Sequence, residues 1–338
     1  MKTFLSRFAT NAALGLALIV GAALLCGFFG RNVPFFDSLA HFRAHLAAVL
    51  FALALVLLVS RNVAAAILSA AVAAGAAVSV AGFMVPRPAD PEPALSRASA
   101  PAGGGRALKL LQMNLRFNAA TAPAIEMIER LRPDVVTLEE MNRRWVDAIA
   151  PLRERFPYTA FCGVGEVVGG VAILSRIPFL PEDAVCRAED GFVARRLDLG
   201  DGSGLTVVAE HLVWPWPYHQ GRQVDRLGQT LSQLGKPLVI AGDFNAAPWS
   251  GTVRHYAERS GTQPVAGIGA TWLTTDLPAA LRPLVGLPID NVLVSSDVAV
   301  LSAARQPATE SDHLPILVRF DLPTLATPPR LVGRATGD

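Results

Sequence analysis

The chain has 338 residues, of which 51% are apolar and 17% charged, and its formal net charge is +2. This length allows one sizeable domain with additional segments, and the apolar excess argues against a wholly soluble protein. From residue 85 onward, 25 Lys and Arg residues stand against 27 Asp and Glu residues. This balance argues against a DNA-gripping surface, so nucleic acid is a disfavoured partner.

The apolar excess is concentrated at the amino terminus. Three stretches there contain no charged residue, at 13–29, 45–60 and 63–84. About twenty helical residues cross the hydrocarbon core of a bilayer. The pattern therefore predicts a membrane anchor over residues 1–84 with three transmembrane helices, and the lipid bilayer as a partner.

The second of these helices is short and is expected to begin near Ala40. His41, Arg43 and His45 would then lie at its interfacial end, where long side chains can snorkel. A cleaved signal peptide is the alternative for the first stretch. No clean small-residue cleavage site follows it, and two further spans would stay unexplained, so we favour the anchor.

Positive charges predict the orientation of the anchor. Lys2 and Arg7 precede the first helix, and Arg61 lies in the turn between the second and third helices. Both places are therefore expected on the cytoplasmic side. Three crossings then deliver everything after Met84 to the outer face of a bacterial inner membrane. The opposing charges, which make the bias modest, are Arg31, Arg43, Arg87 and Arg97.

Residues 85–106 are rich in Pro, Ala, Ser and Gly and have no apolar periodicity. They are interpreted as a flexible linker that lets the following domain sample the membrane surface. The tail at 322–338 is expected to be disordered. Cys162 and Cys186 could pair in an oxidising compartment, but two cysteines specify little, and we expect separate small core residues.

Residues 107–321 have the pattern of one α/β domain. Apolar runs predict strands at 108–113, 135–138, 171–174, 193–199, 205–209, 237–241, 289–294, 299–304 and 316–320. Helical spacing predicts helices at 122–131, 143–156, 219–234 and 249–260. Several strands are consecutive, which favours two packed sheets with helices outside over simple βαβ winding.

Polar residues suited to metal and phosphate chemistry lie at six strand ends. They are Gln112 and Asn114, Glu139 and Glu140, Glu210 and His211, Asp243 and Asn245, Asp290 and Asn291, and Asp312 and His313. Each alone has an ordinary structural interpretation, such as a turn cap or a core histidine. Because strand ends at one edge of a sheet converge, six together indicate one site.

The predicted chemistry is hydrolysis of a phosphoester or phosphoanhydride. Glu140 and Asn114 supply the hard oxygen ligands that Mg²⁺ prefers. A metal in this position would polarise a phosphoryl oxygen and offset developing charge.

A base or water-positioning group must act from the other side of the phosphorus. His313 suits that role if Asp290 binds its other ring nitrogen and fixes its orientation. Asp243 could orient the water instead, with Asn245 donating to a phosphoryl oxygen. His211 would donate to a further oxygen in the transition state. The sequence leaves open whether Asp243 or His313 takes the proton.

Seven short motifs together resemble the endonuclease/exonuclease/phosphatase superfamily related to deoxyribonuclease I. They occur in the family's order, as LQMN (111–114), PDVVTLEE (133–140), GVAILSR (170–176), HL (211–212), GDFN (242–245), ID (289–290) and SDH (311–313). The resemblance implies a four-layer α/β sandwich and a divalent metal, usually Mg²⁺, with Mn²⁺ possible.

The same resemblance assigns roles to individual residues. It implies that Asn114 and Glu140 belong to the metal site, with Asp312 nearby. The implied catalytic residues are His211, Asp243, Asn245, Asp290 and His313. Two positions depart from the family pattern, which commonly has Gln where this chain has Glu139 and Thr where it has Glu210. Both add negative charge near a phosphate unless their side chains face away.

Three membrane helices before such a domain resemble a bacterial subgroup related to teicoplanin-resistance proteins. That resemblance implies a phosphatase acting on a lipid-linked pyrophosphate such as undecaprenyl pyrophosphate. Trp214 and Trp216 could contact lipid or an apolar substrate tail, or pack on the domain itself. Arg222 could contact phosphate or be merely solvated. The alternatives are a membrane-anchored nuclease and an inactive membrane interaction module; the oligomeric state stays open.

Overall fold

The computed structural model describes residues 2–87, 106–200 and 202–322. The predicted linker and C-terminal tail lie outside the described residues, except for residues 85–87, 106 and 322. The helices are α1 (Lys2–Cys26), α2 (Pro34–His41), α3 (Arg43–Val59), α4 (Val63–Met84), α5 (Ala122–Leu131), α6 (Arg143–Ala148), α7 (Gln220–Gln233), α8 (Gly251–Ser260) and α9 (Arg282–Val285).

The strands are arranged in two six-stranded sheets. They are β1 (Arg106–Asn114), β2 (Val135–Met141), β3 (Tyr158–Cys162), β4 (Gly170–Ser175), β5 (Phe179–Arg187), β6 (Phe192–Asp198), β7 (Gly204–His211), β8 (Leu238–Asp243), β9 (Gln263–Pro264), β10 (Asp290–Val294), β11 (Ala299–Arg305) and β12 (Ile316–Leu322). The first sheet has the order β11-β12-β1-β2-β4-β3, and the second β5-β6-β7-β8-β10-β9.

The amino-terminal helices form a small bundle whose outer surface is apolar. Two helices, Phe8–Phe29 and Val63–Met84, are long and apolar enough to cross a membrane, and α2 with α3 makes a third span if that pair, bent by 69°, is counted as one. Among the described residues, two to three helices are therefore long and apolar enough to cross a membrane, which suggests membrane association. The bend falls beside Phe42, between α2 and α3.

His41 and Arg43 do not snorkel as the sequence predicts. Both are buried, with 4% and 3% exposure. Arg43 Nη2 donates to the carbonyl of Gly27 at 3.1 Å, and its guanidinium lies 3.9 Å from the centre of the Phe28 ring. The bend turns α2 back against the end of α1, so these side chains face the protein.

The predicted four-layer α/β sandwich is confirmed. Each sheet contains one parallel pair joined by a helix, β1–α5–β2 in the first sheet and β7–α7–β8 in the second. An apolar core lies between the sheets and includes Leu110, Ile173 and Val207. A second core packs α5 and α6 on the first sheet around Trp145, and a third packs α7 and α8 on the second sheet around Tyr256.

Three strands, β3, β5 and the two-residue β9, were not predicted from the sequence, and one predicted helix is shorter than expected. β3 and β5 each lie at the edge of a sheet. The helix predicted at 143–156 ends at Ala148 and continues as the 3₁₀ turn Ala150–Glu154. The expectation that Cys162 and Cys186 are separate is wrong, because they form a disulfide between β3 and β5 and hence between the two sheets.

The anchor and the α/β domain contact each other directly. The Asp37 carboxylate of α2 accepts hydrogen bonds from the backbone N–H of Gly251 at 2.5 Å and of Thr252 at 2.9 Å. Trp249 Nε1 donates to the carbonyl of Ala40 at 2.7 Å. Asp37 thus satisfies the free amides at the start of α8, which a side chain within the domain would ordinarily do.

A second contact joins the end of α4 to the loop after β9. The N–H groups of Gly267 and Gly269 donate to the carbonyls of Gly82 and Phe83, and Arg87 N donates to Gly267 O. A Cβ on Gly269 would come within 2.9 Å of the Pro86 ring, so the close approach requires glycine. We call these two contacts the anchor seam. They bring the domain into direct contact with the anchor, while most of the linker predicted between them lies outside the described residues.

Candidate active site

The strand register gathers the predicted polar residues at one edge of the sandwich. In the second sheet His211 is opposite Asp243, and Asp243 is opposite Asp290. In the first sheet Asn114 is opposite Glu139 at the ends of the parallel pair β1 and β2. The two parallel pairs end at the same edge, where a pocket of about 690 Å³ opens. The convergence predicted from the sequence is present.

Glu140 is directed into this pocket by an irregularity in β2. The pairing of β2 with β4 shifts register between Leu138 and Met141, and Glu140 has a left-handed backbone with φ of 55°. Bulges of this kind re-aim side chains at the ends of strands. Of the two consecutive glutamates, Glu140 therefore lines the pocket, whereas Glu139 is fully buried and outside the lining.

Asn114 connects the two sheets across the site. Its Nδ2 donates to Glu140 Oε1 at 3.2 Å and to Asp243 Oδ2 at 3.0 Å. Its Oδ1 accepts from the backbone N–H of Arg116 at 2.9 Å. Glu140 Oε2 accepts from Phe117 N at 2.9 Å, so the loop after β1 orients both predicted metal-site residues.

The turn after β8 orients Asp243 and Asn245. Asn245 has φ of 46°, a conformation that asparagine tolerates better than most residues. Its backbone N–H donates to Asp243 Oδ1 at 2.8 Å, and its Nδ2 donates to the Leu212 carbonyl at 2.8 Å. Asp243 Oδ2 lies 3.7 Å from Nε2 of both His211 and His313. Asp243 is therefore central to the site.

His313 is bound by Asp290 as the sequence analysis requires. The distance from His313 Nδ1 to Asp290 Oδ2 is 2.8 Å. Burial alone would lower the pKa of His313, but the carboxylates of Asp290 and Asp243 outweigh it and raise the pKa to about 10. The ring is thus protonated at neutral pH and donates to Asp290.

Burial shifts the pKa values of two further groups in the site, His211 and Asp243, in opposite directions. Burial lowers the pKa of His211, so this ring is neutral at pH 7. Burial also raises the pKa of Asp243 to about 7, although the positive charge of His313 opposes the shift. The site therefore combines a neutral histidine, a charged histidine and a carboxyl group poised near neutrality.

The site has the composition of a divalent-metal centre. Glu139, Glu140, Asp243, Asp290 and Asp312 bring five carboxyl groups to one region, and burial together with mutual repulsion raises the pKa of Glu139 well above its usual range. A divalent cation would relieve this repulsion. Potential ligand atoms of Asp243, Asp290 and His313 lie within 4.8 Å of one another.

That triad is better explained by hydrogen bonding than by ligation. His313 Nδ1 already forms a hydrogen bond with Asp290 Oδ2, and Asp243 Oδ2 lies 3.7 Å from His313 Nε2. Glu140, partly open to the pocket, and Asn114 provide oxygen atoms without that conflict. Asp312 also lines the pocket, with its Oδ2 accepting from Trp272 Nε1 at 3.1 Å.

Neither unusual glutamate adds charge to the pocket. Gln112 Nε2 donates to Glu139 Oε2 at 2.7 Å and to Asp290 Oδ1 at 3.0 Å, so Glu139 lies behind Asp290. Glu210 faces α8, where Tyr256 donates to it at 2.5 Å. Burial raises the pKa of Glu210 well above its usual range. Both side chains are fully buried and away from the pocket lining.

The three residues predicted to bind substrate lie in two different cavities. Trp214 lines the pocket, and its ring lies 5.7 Å from that of Trp272. Trp216 and Arg222 are not in the pocket lining; they line a second cavity of about 600 Å³ against the anchor. The loop before α7 turns toward the anchor, where Trp216 packs against Phe35, so nearness to His211 in the sequence does not place Trp216 or Arg222 at the active site.

Arg116 and Trp272 are among the pocket residues that were not predicted from the sequence. Arg116 lines the pocket, and its guanidinium has no hydrogen-bond or ion-pair partner within the described residues. Its position two residues after Asn114 was the available signal. Trp272 joins the site through tertiary contacts with Trp214 and Asp312, and no motif marks it.

The comparisons with known proteins agree with this geometry. The model of the Endonuclease/Exonuclease/phosphatase family matches residues 111–313 of this chain. D. rerio TDP2 complexed with single strand DNA product is 17% identical with a TM-score of 0.52, covering 63% of this chain and 98% of that one. An AP endonuclease from Archaeoglobus fulgidus is 18% identical with a TM-score of 0.50, covering 62% and 98%.

A third solved structure, an endonuclease/exonuclease/phosphatase from Beutenbergia cavernae DSM 12333, is 18% identical with a TM-score of 0.49, covering 64% of this chain and 72% of that one. At these identities the likenesses concern the fold. No curated protein matches the chain.

Proposed function

This protein belongs to the Endonuclease/Exonuclease/phosphatase family, and from that premise we propose that it is a metal-dependent phosphoesterase working at the outer face of a bacterial inner membrane. Members of the family hydrolyse phosphoester and phosphodiester bonds and typically depend on a divalent metal. The observation that carries the proposal is Asp243, whose Oδ2 lies 3.7 Å from both histidines in a pocket bordered by acidic residues.

Asp243 is proposed to take the proton from the attacking water. A base works best when its pKa lies near the operating pH, and that of Asp243 is raised to about 7. His313 is unsuited to accept this proton because its pKa of about 10 keeps it charged. These two pKa values support Asp243 over His313, the two alternatives that the sequence left open.

The remaining polar groups are proposed to hold and stabilise the phosphoryl group. Protonated His313 and neutral His211 both face Asp243, so either can donate to a phosphoryl oxygen as charge develops. Asn245 orients Asp243 through its backbone N–H. Arg116, whose guanidinium has no partner in the part of the chain that the structure describes, adds a group suited to phosphate to the pocket lining.

Glu140 and Asn114 would hold the metal, with Asp312 beside it, and Mg²⁺ is the expected ion because all these ligands are hard oxygens. A bound divalent ion would supply Lewis-acid polarisation of a phosphoryl oxygen. Within the protein, Phe117 N fixes Glu140 and Arg116 N fixes Asn114, so the oxygen atoms are pre-oriented.

Two observations support an outward placement of the domain. The Cys162–Cys186 disulfide joins the sheets, and disulfides persist in oxidising compartments outside the cytoplasm. Lys2, Arg7 and Arg61 fit the cytoplasmic ends of the spans. A phosphatase reporter that is active only outside the cytoplasm is expected to be active when it is fused after Gly105. Activity of a reporter that works only in the cytoplasm, fused at the same position, would overturn this orientation.

A lipid-linked pyrophosphate is the proposed substrate class. The anchor seam keeps the pocket close to a bilayer, where confinement of enzyme and substrate raises their effective concentration. The near balance of charge after residue 85 disfavours a nucleic-acid substrate.

The test is a substrate panel with the full chain in lipid vesicles. A lipid-linked pyrophosphate, a water-soluble phosphodiester and plasmid DNA are each incubated with Mg²⁺, Mn²⁺ or a chelator. We expect metal-dependent phosphate release from the lipid, lost in Asp243→Asn and retained in Asp297→Asn, an exposed acid outside the pocket. Cleavage of plasmid alone would favour the nuclease alternative, and no metal-dependent activity would favour the inactive module.

A further inference from the structure

The α/β domain has an uneven distribution of exposed apolar side chains. Among residues 106–322, as far as the structure describes them, every large exposed apolar residue except Leu301 lies in one of three segments. These segments are 166–169, 213–218 and 277–285. We call them together the apolar rim. Scattered exposed apolar residues are normal, whereas such concentration marks an interaction surface.

Two segments of the apolar rim line the active-site pocket, and the third lies beside it. Segments 166–169 and 213–218 contribute Val168, Val213 and Trp214 to the pocket lining. The third segment is tied to the site by Arg282, whose guanidinium donates to the carbonyls of Thr271 at 2.5 Å and Asp312 at 2.7 Å. The three segments therefore have fixed positions around the catalytic groups.

One end of the apolar rim is continuous with the anchor seam. The Trp216 ring lies 5.0 Å from the ring of Phe35 on α2, and Ser38 Oγ donates to the Trp216 carbonyl. Helix α2 connects the end of α1 to the start of α3, so it lies where the chain leaves the bilayer. The rim thus begins at the level of the lipid headgroups.

The side chains of the apolar rim suit that level. Trp214, Trp216 and Tyr218 are 44%, 53% and 65% exposed, and Trp and Tyr favour the membrane interface. On the third segment, Leu284 is 71% exposed and Leu281 36%. Leucines this exposed would be stabilised by transfer from water into lipid.

We propose that the apolar rim seats in the outer surface of the bilayer that holds the anchor, so that the pocket opens onto lipid rather than onto water. A lipid substrate would then present its phosphate headgroup to Asp243 while its tail stays among the lipids and against the rim. The inference deepens the proposed function and rests on it for the substrate, but the seating in lipid can be measured separately.

The first experiment measures the depth of the rim in vesicles. Cys26 is replaced by serine, a single cysteine is introduced as Leu284→Cys or as Leu301→Cys, and each is labelled with a fluorophore. We expect lipids carrying a nitroxide to quench the label at position 284 and to leave that at 301 unquenched. Leu301 is the matched control because it is 50% exposed and lies on β11, outside the rim.

A label at 284 that stays open to water would overturn the proposal. A label shielded from water yet unquenched by lipid nitroxides would mean that a protein, such as a second copy of the chain, covers the rim, and would also overturn it. Quenching at 284 in a protein without phosphoesterase activity would leave the membrane contact standing and remove only the proposed function.

The second experiment compares a long-chain substrate in vesicles with a short-chain, water-soluble analogue bearing the same headgroup. Leu281→Ser combined with Leu284→Ser removes apolar surface without touching the pocket lining. We expect kcat/KM to fall about tenfold or more for the vesicle substrate and to be unchanged for the soluble one. Leu301→Ser should change neither value. Equal losses on both substrates, or none on either, would overturn the proposal.

Discussion

Asp37 at the anchor seam and Asp243 at the active site are both almost completely buried, yet their partners differ in kind. Asp37 Oδ2 accepts from Thr252 N and from Thr252 Oγ1 at 2.7 Å, and its Oδ1 accepts from Gly251 N. Asp243 accepts from Asn245 N and Asn114 Nδ2, and it also has carboxyl groups nearby.

The difference lies in what each environment does to the charge. Donors surround Asp37, and it accepts hydrogen bonds from backbone N–H groups at the start of α8, so its contacts stabilise the structure. Asp243 is surrounded by groups that raise its pKa to about 7, so it changes protonation near neutrality. Burial alone therefore does not distinguish a structural carboxylate from a chemical one; the neighbouring charges do.

The largest expected effect comes from removing the charge at the active site. Asp243→Asn keeps the shape of the side chain but cannot accept a proton, so kcat should fall by about 10³-fold, within the range for a lost general base. The thermal unfolding midpoint should be maintained. An active Asp243→Asn enzyme would mean that Asp243 is structural, like Asp37, and that another group takes the proton.

Removing the charge at the anchor seam should instead weaken structure. Asp37→Ala leaves the amides of Gly251 and Thr252 without acceptors, at a cost of about 2 kcal/mol. Hydrogen exchange of these amides should accelerate by about thirtyfold if they open locally. Turnover of a water-soluble substrate should persist. Asp37→Asn, which keeps one acceptor oxygen, is the matched control and should lose less protection.

The pH dependence of activity provides a third contrast. Asp243 accepts a proton only when ionised, so kcat/KM should rise about tenfold per unit below its pKa and level off above about 7. A decline is expected only near pH 10, where His313 loses its charge. A rate profile of Asp37→Asn should have the same two limbs. A profile that already levels off near pH 5 would contradict the role of Asp243.

The smallest expected effect is the pH dependence that Glu210 gives to the stability of the folded protein. Its folded pKa is raised above the usual 4.5, so the folded state keeps a proton that the unfolded state loses. Its contribution to stability is therefore full below pH 4.5 and is lost as pH rises, by up to about 1.4 kcal/mol per unit. Unfolding of Glu210→Gln should lack this decline. Exposed Glu154→Gln should behave like the wild type.

The sequence predicted most of the fold because its central strands are continuous apolar runs and its helices have clear periodicity. β3 and β5 escaped because they are edge strands, and β5 is largely exposed and carries Pro181, Glu182 and Asp183. An edge strand has only one neighbour to pair with and needs no alternating apolar pattern. The disulfide between them was underestimated for the same reason: neither strand was expected.

The active site was predictable as far as it lies on strand ends. Asn114, Glu140, His211, Asp243, Asp290 and His313 follow from the rule that such ends converge. Arg116 lies in a loop whose direction no periodicity specifies, and Trp272 reaches the site only through tertiary contacts. Trp216 and Arg222 turn toward the anchor, whose contact with the domain no sequence pattern indicated.

The contact of Gly267 and Gly269 with the end of α4 has a consequence for how such a protein can change over evolutionary time. Two backbone N–H groups of the domain find their acceptors in the anchor, and Arg87 returns a third hydrogen bond. An exchange of the anchor for an unrelated membrane segment would leave these groups without partners. The unit that must be kept together in evolution therefore extends beyond the family match at 111–313 and includes the helices that precede it.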